Sequence, residues 1–357
     1  MNPIKLSFPG KKVDVPIYIG ENVFDKIQSL VHLKDYSSIL IMVDENVAHH
    51  WSDRINKIIG DDMPILIIAS GEKNKSLATV EKIWMVLSQK QFDRKSLIIN
   101  IGGGMVCDMG AFAASTYMRG VDFIQVPTTL LAQADAAIGG KTGFNLNGLK
   151  NIIGTFSAPV AIISDTSFLS SLPTRELNSG FAEIIKHALI ANEELFNGLL
   201  KKLPRSPKEI DKMLSLSTHI KCGIVKNDPY EKKERKKLNF GHTVGHAVEM
   251  VCQNSITPLL HGEAIAIGMI AEAKMSVLSG HFPKKKFKKL EALISKVGLP
   301  VTVNSKYKKA IAEKILLDKK NVKQQVKWVF LEDIGNVKVD VHLPASIVDK
   351  GLNYILK

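Results

Sequence analysis

The sequence predicts an α/β fold in which an N-terminal domain built on a parallel sheet precedes a mainly α-helical C-terminal domain. The chain has 357 residues, 45% of them hydrophobic, which suits about two globular domains. Over the first 165 residues short β-rich apolar runs alternate with amphipathic helical patterns, and beyond residue 172 helical patterns prevail. We therefore expect an α/β domain at residues 1–172 and a mainly helical domain at residues 173–357.

The predicted strands are short runs rich in β-branched and aliphatic residues, which is typical of strands buried on both faces. They cover residues 13–19, 39–43, 65–69, 97–101, 123–126 and 160–163. Amphipathic patterns between them predict helices at 46–59 and 76–89, the second with Ser76 as its N-cap. In the C-terminal domain the patterns predict helices at 179–190, 210–225, 240–251 and 263–278.

Composition excludes several classes of protein. The longest apolar runs fall far short of the roughly 20 residues that span a bilayer, and the N-terminus lacks the apolar core of a signal peptide. Cys107, Cys222 and Cys252 show no paired spacing, so neither a disulfide framework nor a cysteine zinc site is indicated. We expect a soluble, cytoplasmic protein.

The net charge of +13 is unevenly distributed. Residues 1–200 carry 18 basic and 20 acidic side chains, whereas residues 201–357 carry 30 and 15, a net charge of +15. Such a basic half suits nucleic acid, a membrane surface or a small anionic substrate. Because its lysines lie on helical stretches with few aromatic residues between them, we interpret most of them as solvated helix faces. Neither a membrane nor a nucleic acid is expected as a partner.

A run of glycines at residues 102–104 joins a predicted strand to a helix. Backbone N–H groups in such a turn can approach a phosphate, which the helix dipole also attracts. Asp44 follows another strand, where a carboxylate can bind a ribose hydroxyl, and residues 70–75 follow a third with a carboxylate and an ammonium. Because ligands of open α/β sheets bind at the carboxyl edge, these segments together indicate a nucleotide site.

The segment 238–249 has the sharpest local pattern. His242, His246 and Glu249 are spaced i, i+4, i+7, so a helix places them on one face. Histidine pairs at this spacing commonly bind a metal ion, and His261 and Glu263 follow nearby. From the residues alone, the ligand set is His242, His246 and either His261 or Glu263.

Two further clusters each allow two interpretations. Residues 133–143 combine glycines with Lys141, and Lys150 and Asn151 follow. This segment is either an anion-binding loop or a glycine turn with an exposed lysine. Glu183 and Lys186 are spaced i, i+3 within an apolar helix, as either a buried structural pair or a functional site.

Taken together, these segments resemble the 3-dehydroquinate synthases, within the sugar-phosphate cyclases that share a fold with iron-dependent and glycerol dehydrogenases. The matching segments are 71–75, 102–108, 116–120, 127–133, 139–143, 182–186, 238–249 and 261–263. They cover most of the chain and occur in the family's order. The resemblance implies a Rossmann-like, NAD-binding α/β domain followed by a mainly helical domain that binds metal and substrate.

The resemblance also implies roles for particular residues. A catalytic Zn²⁺, or Co²⁺ or another divalent ion, would be held by Glu183, His242 and His261, with His246 directed toward the substrate instead. Catalytic roles are implied for Asp135, Lys141, Lys186 and His246. Further substrate contacts are implied for Arg119, Asn151, Lys221, Arg235 and Asn239, and for one of Lys319 and Lys320. NAD contacts are implied for Asp44, Asn46, Glu72, Lys75, Gly103, Gly104, Asp108, Thr128, Thr129, Leu131, Lys150, Phe168 and Glu176.

The activity that the resemblance implies is conversion of 3-deoxy-D-arabino-heptulosonate 7-phosphate to 3-dehydroquinate and phosphate, a step of the shikimate pathway to aromatic amino acids. NAD would oxidise C5 transiently, phosphate would be eliminated, and NADH would return the hydride before an intramolecular aldol reaction closes the carbocycle. Lysine and arginine side chains suit the phosphate and carboxylate of such a small anionic sugar phosphate. Arg119 would reach into the neighbouring subunit's site, which implies a homodimer.

Three positions depart from the family's pattern. Pro229 stands where an acid is usual, and Lys233 and Gln324 stand where glycines are usual. A 2-deoxy-scyllo-inosose or valiolone synthase would share nearly every motif, but Lys221 and Arg235, which resemble a carboxylate-binding pair, favour the 3-dehydroquinate synthases. A metal-dependent polyol dehydrogenase on the same fold would instead release NADH stoichiometrically. A nucleic-acid- or anion-binding protein without activity is the non-enzyme alternative, and the intact metal triad argues against it.

Overall fold

The structure, a computed structural model, describes residues 2–8, 14–253, 255–316 and 326–357. The chain divides into two compact units, Met1–Pro173 with Ser206–Cys222, and Thr174–Arg205 with Gly223–Lys357. The sequence-based division has a single boundary, between residues 172 and 173. The structural division differs from it in placing residues 206–222 with the first unit. As a division by function, the sequence-based assignment stays a prediction.

The first unit contains a seven-stranded sheet and a separate hairpin. Its strands are β1 (Ile4–Leu6), β2 (Val15–Gly20), β3 (Ile39–Asp44), β4 (Ile65–Ile68), β5 (Leu97–Gly102), β6 (Asp122–Pro127), β7 (Lys141–Leu146), β8 (Leu149–Phe156) and β9 (Ala161–Asp165). The sheet order is β1-β2-β9-β6-β5-β3-β4, in which β1 pairs antiparallel with β2 and the other pairs are parallel. The α/β prediction is therefore confirmed.

Helices cover both faces of this sheet. They are α1 (Ile27–Leu30), α2 (Glu45–Ile59), α3 (Leu77–Gln89) and α4 (Gly104–Thr116). Alternate residues of β3 enter different cores: Ile41 packs in the cluster that includes Ile55 of α2, and Met42 packs in the cluster that includes Val80 of α3. Both faces of a parallel sheet are thereby buried, as the near-continuous apolar strands predict.

The hairpin of β7 and β8 was not among the predicted strands. Asn147 and Gly148 connect its strands with φ of 51° and 75°, the left-handed conformation that tight hairpin turns require. Polar and glycine residues on both strands obscure the alternation, so the sequence pattern predicts no strand here.

The second unit is mainly helical, as predicted. Its elements are α5 (Thr174–Ala191), α6 (Glu193–Lys201), α8 (His242–Cys252), α9 (His261–Leu278), α10 (Lys284–Val297), α11 (Lys308–Leu316) and α12 (Ala345–Tyr354), with a hairpin of β10 (Trp328–Asp333) and β11 (Asn336–Val341). The helix α7 (Pro207–Asn227) precedes α8 along the chain. The sequence analysis did not predict the β10–β11 hairpin. Among the described residues, no helix combines the length and apolarity needed to cross a membrane.

Candidate active site

The carboxyl edge of the sheet in the first unit forms a topological switch point between β3 and β5. The chain leaves β3 for β4 on one side and leaves β5 for β6 on the other, and such a divide opens a crevice for a ligand. Asp44 ends β3, is nearly buried, and accepts a hydrogen bond from the Val47 N–H (2.9 Å) as the N-cap of α2. Gly103 is the N-cap of α4 and brings no side chain to that helix start. The N-terminus of α4, which carries no capping side chain, fits the pyrophosphate of a dinucleotide, and the Asp44 carboxylate fits its ribose.

Charged groups line the same region of the first unit. Lys75, which is 4% exposed, donates to Asp108 Oδ2 at 2.5 Å. Burial raises the pKa of Asp108, against the opposite pull of Lys75. Glu72 accepts a hydrogen bond from the Asn145 amide (2.9 Å), and the Lys150 ammonium lies 4.0 Å from the same carboxylate oxygen. The structure thus brings the predicted NAD residues of the 70–75 loop together with Asp108 and Lys150.

The remaining predicted NAD residues differ in what they offer. Thr128 donates its main-chain N–H to Gly102 (2.9 Å), and a Cβ on Gly103 would lie 3.2 Å from Thr129, so both threonines border the glycine turn. Asn46 is exposed in the first turn of α2, and Leu131 is half-buried. Phe168 packs in the core, which leaves no side-chain surface for a ligand. Glu176 belongs to the second unit, in the first turn of α5, where burial raises its pKa.

Asp135 and Lys221 form a close ion pair in the first unit. The Lys221 ammonium donates to Asp135 Oδ1 (2.6 Å) and to the Asp135 main-chain oxygen (2.5 Å). Lys141 is exposed at the start of β7, and Asn151, in β8, has a left-handed backbone (φ 49°) and donates its N–H to Asn145 Oδ1. The end of the segment that the sequence left open as an anion-binding loop or a glycine turn thus enters the β7–β8 hairpin, which presents Lys141 and Asn151.

A carboxylate and two imidazoles converge in the second unit. Glu183 is fully buried in α5, and its Oε1 lies 3.6 Å from His242 Nε2 and 3.7 Å from His261 Nε2. Ligand atoms of the three residues all lie within 4.8 Å of one another. In a tetrahedral site with bonds of about 2.0–2.1 Å, ligand atoms are about 3.3–3.4 Å apart, so the two distances from Glu183 are only slightly longer than metal binding requires.

The second nitrogen of each imidazole has an oxygen neighbour, which orients the ring. His242 Nδ1 lies 3.1 Å from the Phe240 carbonyl, and His261 Nδ1 lies 3.4 Å from Glu249 Oε2. When Nδ1 carries the proton, Nε2 has the lone pair that a metal needs, and metal-bound histidines are commonly oriented in this way. The donor set therefore fits a divalent ion.

The electrostatics of the cluster favour a cation. Burial opposes a charge on His261, but Glu249 and Glu183 outweigh it and raise the pKa of His261 to about 10. His246 lies with Glu249 and His261 in a second group of close ligand atoms, which shares only His261 with the first. Among the described residues, neither group contains both His242 and His246, and neither contains Glu263. The set that the resemblance implies thus lies together as one group, whereas the set from the residues alone does not form one of these groups, and both stay predictions.

Lys186 is buried beside the cluster, and its ammonium forms an ion pair with Glu183 Oε2. Both side chains are almost fully removed from solvent, where a charge is costly without a partner. The i, i+3 pair that allowed two interpretations is thus buried and also adjacent to the histidines.

The loop before α8 holds Arg235 and Asn239. Asp228 accepts main-chain hydrogen bonds from Lys232 (2.9 Å), Lys233 (2.6 Å) and Arg235 (3.0 Å). The Arg235 guanidinium donates to the Pro229 carbonyl at 2.6 Å. In the same segment, Asn239 donates its amide to Glu231 Oε1 at 2.6 Å. The two unusual residues of this loop, Pro229 and Lys233, both take part in its hydrogen bonding.

Arg119 lies outside these clusters. Arg119 is exposed, and its backbone is left-handed (φ 69°), like that of Met118 before it (φ 50°). Lys319 and Lys320 lie outside the described residues, as does Gln324. Sequence reasoning assigned no role to Asp228, Glu231 or Glu272. The available signal for Glu272 was an acid within the apolar pattern of α9.

Solved structures share this fold over nearly the whole chain. A 2-deoxy-scyllo-inosose synthase, complexed with carbaglucose-6-phosphate, NAD⁺ and Co²⁺, has a TM-score of 0.88 at 25% identity and covers 99% of this chain and 100% of its own. For an NADH-dependent butanol dehydrogenase A from Thermotoga maritima the TM-score is 0.69 at 15% identity, with 100% of both chains covered, which shows a shared fold. The fold and the site define an NAD- and divalent-metal-dependent enzyme.

Sequence comparisons identify the family. Models of the N-terminal and C-terminal domains of 3-dehydroquinate synthase match residues 65–179 and 180–321. The 3-dehydroquinate synthase of Halorhodospira halophila (strain DSM 244 / SL1) is 38% identical over 328 residues, 91% of this chain and 92% of the relative. That of Alkaliphilus metalliredigens (strain QYMF) is 36% identical over 336 residues, 93% of each. The chain belongs to the 3-dehydroquinate synthase family and is a phosphate-eliminating carbon–oxygen lyase.

Proposed function

We propose that the chain converts 3-deoxy-D-arabino-heptulosonate 7-phosphate to 3-dehydroquinate and phosphate, with a divalent ion held by Glu183, His242 and His261. The observation that carries this proposal is the convergence of one carboxylate and two imidazole nitrogens in a chain of this family. Three protein ligands leave coordination positions for substrate, which suits a catalytic ion. When bound, the metal supplies Lewis-acid polarisation of substrate hydroxyls, and NAD supplies a hydride acceptor that the reaction regenerates.

Cationic side chains in each unit suit the substrate's anionic groups. The Lys221 ammonium already donates to a carboxylate, that of Asp135, which a substrate carboxylate can replace. The Arg235 guanidinium has a fork of donors, of which one is occupied by the Pro229 carbonyl in this structure. Lys141 and Asn151 offer an exposed ammonium and an amide on the β7–β8 hairpin. The proposed substrate is accordingly a sugar phosphate that also carries a carboxylate.

Proton transfer falls to groups beside the metal ligands. His246 lies one helical turn from His242, with the ring centroids 5.1 Å apart, and imidazole exchanges protons readily near neutral pH. Lys186 pairs with Glu183 and thereby holds that carboxylate in place while adding a positive charge beside it. We propose His246 as the group that moves a substrate proton, and Lys186 as an electrostatic stabiliser of negative charge on the substrate.

We also propose that the chain is a homodimer in which Arg119 acts in the partner's site. Arg119 lies in an exposed tight turn at the end of α4, and Ser115 of α4 hydrogen-bonds Thr155 of β8 (2.8 Å). The adjacent strand β8 leaves large apolar side chains exposed, among them Leu149 and Phe156 at 52% and 51%. Exposed apolar patches of this kind mark association surfaces, and a second copy presents the same patch.

The proposal is tested by mixing purified protein with NAD, Zn²⁺ and 3-deoxy-D-arabino-heptulosonate 7-phosphate, and measuring phosphate and 3-dehydroquinate together. We expect both products in equal amounts without net NADH, and loss of both with a chelator or with Glu183→Gln. Glu194→Gln, at an exposed position on α6, is the matched control and keeps full activity.

Other outcomes point to other enzymes. Failure of the folded protein, loaded with Zn²⁺ and NAD, to release phosphate would overturn the substrate assignment. Glucose 6-phosphate and sedoheptulose 7-phosphate then test the sister cyclases. Stoichiometric NADH from a polyol would identify a dehydrogenase instead.

A further inference from the structure

Glu272 is a fully buried carboxylate that has no role in the mechanism above. It lies in α9, the helix that begins with His261, where nearly all other buried residues are apolar or small. A charge removed from water is costly unless its hydrogen bonds are made, so the hydrogen bonds it accepts indicate what it does.

Those hydrogen bonds come from the start of the other histidine-bearing helix. Glu272 Oε2 accepts from the Gly241 N–H at 2.8 Å, and Oε1 accepts from the Val244 N–H at 3.0 Å. These two N–H groups flank His242, the first residue of α8. The first N–H groups of a helix have no partners within it, and α8 has no capping side chain of its own. Glu272 therefore caps α8 from a neighbouring helix.

Close packing explains why the cap comes from α9. Gly241 has a left-handed backbone (φ 77°), and a Cβ at this position would lie 2.5 Å from Met269 Cγ and 3.0 Å from the Met269 main-chain nitrogen. A Cβ on Gly268 would lie 2.0 Å from the Gly241 carbonyl oxygen. Because the two backbones nearly touch, position 241 has no room for a serine or asparagine cap, and the acceptor has to extend from α9.

The cap also has an electrostatic consequence. The N-terminus of a helix carries about half a positive charge, which opposes a divalent cation bound at the helix's first residue. The carboxylate of Glu272 offsets this charge at α8. At the start of α9, Glu263 Oε2 accepts from the Leu260 N–H at 2.8 Å. A glutamate carboxylate thus accepts a main-chain hydrogen bond at the start of each helix that begins with a proposed histidine ligand, and that of Glu263 is also paired with Arg175.

We propose that Glu272 is a positioning residue of the metal site. By fastening the start of α8 to α9, it sets the separation between His242 Nε2 and His261 Nε2, and with it the affinity and coordination geometry of the site. This inference rests on the metal ligands of the proposed function and is independent of the substrate.

The test measures metal binding without substrate. Glu272→Gln keeps the size of the side chain but removes the charge and turns an amide N–H₂ toward one of the two N–H groups. We expect its Zn²⁺ affinity, measured by competition with a chelator, to fall about 10- to 100-fold, as is usual when a group that orients metal ligands is lost. The visible absorption bands of the Co²⁺-loaded protein should shift, while NAD affinity stays at the wild-type value.

Controls separate this effect from general destabilisation. Ser276→Ala, one turn further along α9, removes the buried hydrogen bonds of the Ser276 hydroxyl with the Leu331 N–H (3.2 Å) and with the Glu272 main-chain oxygen (3.0 Å). It keeps the Glu272 carboxylate on α8 and should leave Zn²⁺ affinity unchanged. If Glu272→Gln does not fold, Glu272→Asp keeps the charge and is expected to show an intermediate loss of affinity.

Two outcomes overturn the proposal: wild-type Zn²⁺ affinity with an unchanged Co²⁺ spectrum in a folded Glu272 variant, or an equal loss of affinity in Ser276→Ala. Wild-type Zn²⁺ affinity in Glu183→Gln would instead overturn the metal ligands themselves, so the two failures are distinguishable.

Discussion

Asp228 organises the loop that carries Arg235. Burial acts to raise its pKa, but the main-chain N–H groups of Lys233, Lys232 and Arg235 outweigh burial and hold the pKa of Asp228 below its usual value. A carboxylate that accepts three such hydrogen bonds fixes the main chain on both sides of Lys233. The Pro229 carbonyl in turn accepts from the Arg235 guanidinium. The loop therefore holds the arginine although two of its residues are unusual for the family.

Asp228→Ala should consequently weaken substrate binding. A hydrogen bond to a charged group contributes about 1.5–3 kcal/mol, so freeing this loop should raise KM by about tenfold or more. We expect Zn²⁺ affinity to be unchanged, because the proposed metal ligands lie on α5, α8 and α9. Steady-state kinetics measure the change in KM, with Asp349→Ala, at an exposed position, as the control. A fall in kcat at constant KM would contradict a role in positioning Arg235.

The charge on His261 gives the metal-free protein a pH dependence. Because Glu249 and Glu183 raise the pKa of His261 to about 10, the protonated ring stabilises the fold below the ordinary histidine pKa of about 6.5. That stabilisation is lost as the pH rises through about 10. We expect the Tm of chelator-treated protein to fall from pH 7 to pH 10, and to fall less in Glu249→Gln. Equal slopes in the two proteins would show that Glu249 does not hold the proton on His261.

At the scale of elements, glycines allow α8 and α9 to cross closely. A Cβ on Gly268 would lie 2.0 Å from the Gly241 carbonyl and 2.6 Å from the Gly245 nitrogen, and main-chain atoms cannot swing aside. Gly268→Ala should therefore destabilise the protein by about 1–3 kcal/mol or more, measured by chemical denaturation.

Gly198→Ala is the matched control, because nothing lies within 4 Å of a Cβ at that position in α6. It should stabilise the protein by about 0.4–1 kcal/mol, since alanine restricts the unfolded chain. Equal effects at the two positions would mean that the crossing tolerates a wider separation.

Sequence periodicity predicted elements well where one pattern dominates. The strands at 39–43 and 97–101 match β3 and β5 within a residue, because strands buried on both faces are continuous apolar runs. The β7–β8 hairpin escaped prediction because glycines and polar residues interrupt the alternation on its strands. The β10–β11 hairpin does have strand patterns, a short apolar run and the alternating NVKVDV, but these were missed within a domain interpreted as helical. The metal site shows the same limit: helix spacing paired His242 with His246, but the structure brings Glu183 of α5 to His242 instead. Contacts between separate helices leave no local pattern, so the residues alone could indicate Glu183 as part of a charged pair with Lys186 but not as a metal ligand.

At the scale of the whole molecule, the exposed apolar side chains of β8 predict self-association. Leu149 and Phe156 expose about half of their surface on a strand next to the turn of Arg119. A charged side chain at both positions would be desolvated in a symmetric interface and so should dissociate the dimer. We expect Leu149→Lys with Phe156→Lys to sediment as a monomer with unchanged Zn²⁺ affinity. A variant that remains a dimer would exclude this face as the interface.

Arg119 and Glu183 allow the proposed sharing of sites to be tested by complementation. If Arg119 acts in the partner's site, a mixed dimer of one Arg119→Ala chain and one Glu183→Gln chain has one complete site. That site combines the proposed metal ligands of the Arg119→Ala chain with the arginine of the Glu183→Gln chain. Random reassociation of equal amounts makes half of the dimers mixed, so two inactive proteins should together regain about a quarter of wild-type activity. If Arg119 instead acts within its own chain, every site in the mixture lacks one of the two residues. Mixing would then restore nothing, although sedimentation still shows dimers.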